Sequence, residues 1–116
     1  MIRVSVLYPN KPGSHFDVEY YLNFHVPLTA KLLGPVVKSM SVEIGVGGIE
    51  GTSQPFAAIW SITCESVEAF TSAFGTHSIE MQADIPKYTD VEPIFQISEI
   101  RIDDQTGGVP DAALSS

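Results

Sequence analysis

Apolar and polar residues alternate from the first positions of the chain. Ile2, Val4, Val6 and Tyr8 fall on one side, and Arg3, Ser5 and Leu7 on the other, which is the period of a β-strand. Pro9-Asn10-Lys11-Pro12-Gly13 breaks the pattern with turn residues. A helix is predicted next, with Asp17 as N-cap, Glu19 at the positive end of its dipole, and Phe16 and Tyr21 spaced as a hydrophobic staple. Its apolar periodicity runs to Leu33, and Gly34-Pro35 is a terminator pair.

From about Ser39 to Val46 the alternation returns, with Met40, Val42, Ile44 and Val46 on one face and Ser41, Glu43 and Gly45 on the other. A glycine-rich connection, 47–55, leads to FAAIWSIT at 56–63, so these two strands read as an antiparallel pair. Ser66 caps a second helix whose Val67, Phe70 and Phe74 share one face. Gly75 is expected to close it. A further helical stretch from Thr76 to about Asp84 is expected to stop at Pro86. The last strand is EPIFQISEIRI, 92–102. Its apolar phase flips between Phe95/Ile97 and Ile100/Ile102, which calls for a bulge, a bend or a change of partner surface.

The order β-α-β-β-α-β predicts an α+β, ferredoxin-like sandwich, a four-stranded antiparallel sheet with both helices on one face. Residues 1–103 form this domain, and 104–116 read as a loose C-terminal tail. The sheet's other face receives Arg3, Ser5, Leu7, Ser41, Glu43, Ala57, Ile59, Ser61 and Thr63. These side chains are too uncharged for open solvent and too hydroxylated for a dry core. A second copy of the chain meeting it face to face is therefore expected, as a homodimer.

Charge narrows the partners. Fourteen acidic against six basic side chains give a net charge of −8, and no basic cluster or arm is present, which argues against nucleic acid and anionic membranes. The N-terminus alternates like a strand and lacks the apolar core of a signal peptide, and no stretch has the length of a membrane span. A cytoplasmic protein is expected. The lone Cys64 ends an apolar run with no basic neighbour and reads as a buried, inert thiol. GVGGIEG at 45–51 has Glu50 where a dinucleotide fingerprint needs glycine, and no helix follows, so it reads as a hairpin connection. The histidines show no paired ligand spacing, and no serine sits on a nucleophile turn. Neither a cofactor nor a metal is expected.

The first helix remains. At 100° per residue, Val18, Tyr21, Leu22, His25, Leu28, Thr29 and Leu32 share one broad face, with Tyr20 and Phe24 on the opposite side. His25 therefore points toward the sheet. Pro27 removes the amide that would bond the carbonyl of Asn23, and a kink there would open space beside the imidazole. Imidazole titrates near neutrality and can move protons to or from a bound molecule. A core histidine holding the kink together is the alternative that periodicity leaves open.

The stretches IRVSVLYPNKPG, FDVEYYLNFHVPL and ADIPKYTDVEPIFQISEI are together specific, and by them the chain resembles the EthD family within the dimeric α/β-barrel superfamily. The resemblance covers Ile2 to about Arg101. It implies a ferredoxin-like fold paired sheet to sheet, with a site in the cleft between helices and sheet. It also implies a link to degradation of ethyl tert-butyl ether beside a monooxygenase system, in a family often labelled reductase. Similar folds act without cofactors as monooxygenases, isomerases, dehydratases and decarboxylases on small aromatic or polyketide-like compounds. The histidine of the Y-Y-x-x-x-H-x-P pattern maps onto His25, which becomes the catalytic candidate. Tyr21, Trp60, Asp84, Tyr88 and Asp90 are the candidates for substrate binding. Asp84 or Asp90 is the expected carboxylate that orients the imidazole; a helix end and a turn cap are their respective alternatives, and core packing is that of Trp60. Two classes of function follow: a cofactor-free acid/base enzyme acting on a small hydrophobic or aromatic catabolite, or a non-catalytic protein that holds such a ligand for a partner monooxygenase.

Overall fold

A computed structural model describes residues 1–103; the predicted C-terminal tail lies outside them. The chain forms strand β1 (Ile2–Pro9), helix α1 (Val18–Tyr20), a π-helical turn (Tyr21–His25), helix α2 (Val26–Leu33), β2 (Ser39–Ile44), β3 (Phe56–Cys64), α3 (Val67–Asp84) and β4 (Ile94–Glu99). The sheet runs β2-β3-β1-β4 with every neighbouring pair antiparallel. This is the ferredoxin-like α+β sandwich that the order of periodicities predicts. Among the described residues no helix is long and apolar enough to cross a membrane.

The core follows from the strand period. Val4, Val6 and Tyr8 of β1 and Ala58, Trp60, Ile62 and Cys64 of β3 are all buried on the helix side. Cys64 is a free, buried thiol, and burial pushes its pKa up, as inert packing requires. The opposite side of the sheet carries Arg3, Ser5 and Leu7, in register with Thr63, Ser61 and Ile59. No element of the described chain packs over it.

The first helix begins as its sequence dictates. The Asp17 carboxylate accepts from the amide of Tyr20 at 3.1 Å, and the staple residues Phe16 and Tyr21 meet edge to face at 5.0 Å. Pro27 is absorbed differently from the expected kink. The turn before it widens to π geometry, with the Val26 N–H bonded to the carbonyl of Tyr21. Gly34 ends the helix with φ of 65°, in the left-handed region that glycine enters freely.

Three boundaries differ from expectation. α3 is a single helix through Gly75, because the neighbouring turns supply packing and hydrogen bonds that outweigh glycine's penalty of about 1 kcal/mol. β2 ends at Ile44 and not at Val46, where Gly45 approaches Gln54 and Phe56 too closely for a side chain. β4 ends at Glu99 in unbroken register with β1, so Ile100 and Ile102 lie past the strand and the phase flip contains no bulge.

Candidate active site

The site is assembled from two helix ends. His25 closes the π turn, and Asp84 is the last residue of α3, where Pro86 and a short 3-10 turn (Ile85–Lys87) halt the helix. Both side chains are buried. His25 Nδ1 lies 2.9 Å from Asp84 Oδ2. The other carboxylate oxygen accepts from the Tyr20 hydroxyl at 2.8 Å and faces Lys87 Nζ at 3.5 Å.

These contacts set the charges. Burial by itself pushes the Asp84 carboxyl up, but hydrogen bonds from His25 and Tyr20, with Lys87 nearby, hold it below its ordinary value. Asp84 is therefore an anion and accepts only, so Nδ1 carries the imidazole proton and Nε2 carries the lone pair. Burial lowers the imidazole pKa from 6.5 against the opposing pull of Asp84, which keeps the ring neutral at neutral pH. Thr29, one turn on, gives its hydroxyl proton to the His25 carbonyl at 3.0 Å and stands only 3.5 Å from Nε2. With that hydroxyl proton given to the shorter bond, the Nε2 lone pair faces the Thr29 oxygen only at the outer limit of a hydrogen bond and can take a proton.

His25 and Thr29 line a cavity of about 30 Å³ between helices and sheet, walled by Val6, Trp60, Phe70 and Phe95 among others. Such a space exceeds the ~10–15 Å³ that admits one water. Phe70, Phe74, Gln82, Ile85 and Phe95 also line a larger outer cleft of about 630 Å³ that reaches Pro86, Glu92 and Pro93. The two spaces share these side chains as walls, and among them Phe74 and Phe95 meet edge to face at 5.8 Å.

The sequence candidates divide. Asp84 stands against His25, and Trp60 lines the cavity. The indole Nε1 of Trp60 is buried with no hydrogen-bond partner among the described residues, an arrangement that costs about 1–3 kcal/mol until an acceptor arrives. Tyr88 packs its ring 4.6 Å from the imidazole, but its hydroxyl bonds to that of Tyr8 at 2.6 Å, and it does not line the cavity. Tyr21 stacks on His25 at 5.8 Å and is wholly buried; it too is packing behind the imidazole. Burial pushes the Tyr8 hydroxyl up to about 12 and those of Tyr21 and Tyr88 higher still, so these phenols stay protonated. Asp90 is elsewhere: its Oδ1 accepts from the backbone N–H of His15 at 2.9 Å, a loop cap that does not meet His25.

Tyr20 and Lys87 were not among the candidates. Regular helical phasing sets Tyr20 roughly 140° from His25. The π turn brings i and i+5 into line and swings Tyr20 toward Asp84. Among the described residues no three His, Cys, Asp or Glu side chains gather as a metal site requires.

Comparison with protein-family models gave no match, and comparison with curated proteins gave none either. Solved structures do match. An EthD-like protein from Ralstonia eutropha is 36% identical, with 90% of this chain and 95% of that one covered and a TM-score of 0.85. An ethyl tert-butyl ether (EthD) family protein from Bacillus halodurans is 25% identical over 86% of this chain and 98% of its own, with a TM-score of 0.63. HapK from Hahella chejuensis shares the fold, at 16% identity over 93% and 100% of the two chains and a TM-score of 0.55.

Proposed function

The chain belongs to the EthD family, and from that premise we propose that it binds a small hydrophobic or aromatic compound between helices and sheet and acts on it by proton transfer through His25. The observation that carries this reading is the His25–Asp84 pair at 2.9 Å, with the imidazole on an apolar cavity. The Nε2 lone pair takes a proton from the bound compound. Asp84 fixes the tautomer beforehand and stabilises the imidazolium afterwards. Apolar walls favour an apolar body, and the small inner space admits only its reactive end. The chemistry so described is that of an isomerase, dehydratase or monooxygenase that uses its own side chains, within a homodimer closed over the open sheet face.

The test joins binding to turnover. A panel of small aromatic ketones, phenols and ethers is titrated against the protein by calorimetry, and each binder is followed by NMR for chemical change. His25→Ala is expected to keep binding and to lose turnover by a factor of about 10²–10⁴. If binders are found but wild type and His25→Ala leave them equally unchanged, the protein is a ligand carrier for a partner monooxygenase and the catalytic reading falls.

A further inference from the structure

Asp84 is held through both oxygens by one short stretch of the first helix. Its Oδ2 meets Nδ1 of His25 at 2.9 Å, and its Oδ1 accepts from the Tyr20 hydroxyl at 2.8 Å. Those two residues stand five apart, a spacing that a regular helix turns roughly 140°. The π turn over Tyr21–His25 brings both onto one carboxylate. Tyr20 is itself fixed at each end. Its amide donates to the Asp17 carboxylate at 3.1 Å. Its ring stacks on that of Tyr88 at 6.3 Å, the same ring that packs 4.6 Å from the imidazole. The bond to Asp84 pushes the phenol's pKa up, so the hydroxyl stays protonated and donates.

A carboxylate bonded through one oxygen turns readily, because the last torsion of an aspartate is broad and roughly two-fold. A second strong bond, on the other oxygen, fixes its plane. Lys87 competes for that role, with Nζ 3.5 Å from Oδ1 and a side chain 63% exposed. An exposed ion pair contributes little, whereas a short hydrogen bond from a part-buried phenol to a charged acceptor contributes more. We propose that Tyr20 is the positioning residue of this site: it locks the plane of the Asp84 carboxylate, so that Oδ2 stays on Nδ1 and the lone pair stays on Nε2. This rests on the proton-transfer reading of His25 above. Without the phenol, the carboxylate turns toward the Lys87 ammonium, and the imidazole loses the anion that fixes its tautomer.

The test needs no ligand. The chain has three histidines, so the His25 signals in proton–nitrogen spectra are those that His25→Gln removes. Wild type is expected to carry its imidazole proton on Nδ1 alone, in slow exchange with water. Tyr20→Phe keeps the ring and loses the donor. It is expected to speed Nδ1–H exchange by about tenfold or more and to populate the second tautomer, while the amides of Val4 and Val6 in β1 keep wild-type protection. Lys87→Met is expected to speed that exchange by less than about fivefold. Wild-type exchange in Tyr20→Phe, or a larger effect from Lys87→Met, would overturn the role of Tyr20. Equal acceleration at Nδ1, Val4 and Val6 would also overturn it, as plain loss of stability. Proton transfer is judged separately. Any aromatic ketone, phenol or ether that wild type converts is expected to be converted about tenfold more slowly by Tyr20→Phe, with its binding kept. If wild type converts none of them, the proton-transfer reading falls, and the imidazole spectra still decide whether Tyr20 holds Asp84. A wild-type proton on Nε2 would remove both.

Discussion

Asp84 is an anion at the C-terminal end of α3, where the helix dipole and burial both oppose it. It persists because the imidazole, a phenol and an ammonium converge on its two oxygens. Asp84→Asn removes the charge and offers an amide N–H to Nδ1, which favours the opposite tautomer and takes the lone pair away from Nε2. Proton transfer to His25 is then expected to fall by about 10²-fold or more, with nitrogen NMR reporting the tautomer change and ligand binding preserved. An unchanged imidazole spectrum would contradict the positioning role. The depressed imidazole pKa also links stability to pH. As pH falls below 6.5, the unfolded chain protonates His25 before the folded one does, so stability is lost on the acid side. The depressed Asp84 carboxyl acts with the same sign lower down, below 3.8. Chemical denaturation at pH 7.5 and 5.5 is expected to show a drop in wild type that His25→Gln reduces; an identical drop in the variant would sink the assignment.

At the scale of the element, α3 carries the carboxylate and the first helix the imidazole, so the site depends on both running true. Gly75 is exposed within α3, and a Cβ there meets nothing within 4 Å. Gly75→Ala is expected to stabilise the protein by about 0.5–1 kcal/mol, read as a rise in Tm. A fall in Tm would mean that the helix breaks there. This is also where the sequence was hardest to read. Strand periods, the Asp17 and Ser66 caps and the Gly34 stop are local signals, and they placed the elements to within a few residues. The His25–Asp84 contact spans 59 positions, and short-range periodicity carries no information about it; only the family resemblance brought Asp84 or Asp90 into view. The π turn defeated phasing altogether, because 100° steps assume a regular helix and so turned Tyr20 away from the site. The Trp60 donor was invisible for a different reason: a tryptophan in a strand reads as core whether or not its N–H is paired.

For the whole molecule, the open sheet face is the surface on which the homodimer proposed above rests. Strand register draws two rows across it. One runs Glu43, Ile59, Leu7, Ile94, and the next runs Ser41, Ser61, Ser5, Gln96. The first row places three aliphatic side chains side by side on a face that no described element covers, and Ile94 is 52% exposed. Burying each against a second copy contributes up to about 1.5–3 kcal/mol, and the hydroxyl row can pair with its counterpart without stranding a charge. Self-repulsion from −8 on each copy opposes the pairing, so salt is expected to tighten it. The homodimer proposed above thus predicts twice the chain mass by light scattering at micromolar concentration. Ile59→Lys, at the centre of the apolar row, would bring a charge into that contact and is expected to yield a monomer with wild-type circular dichroism. If wild type is monomeric, or if Ile59→Lys dimerises as tightly as wild type, the face does not pair, and another partner must cover the Ile59, Leu7 and Ile94 row.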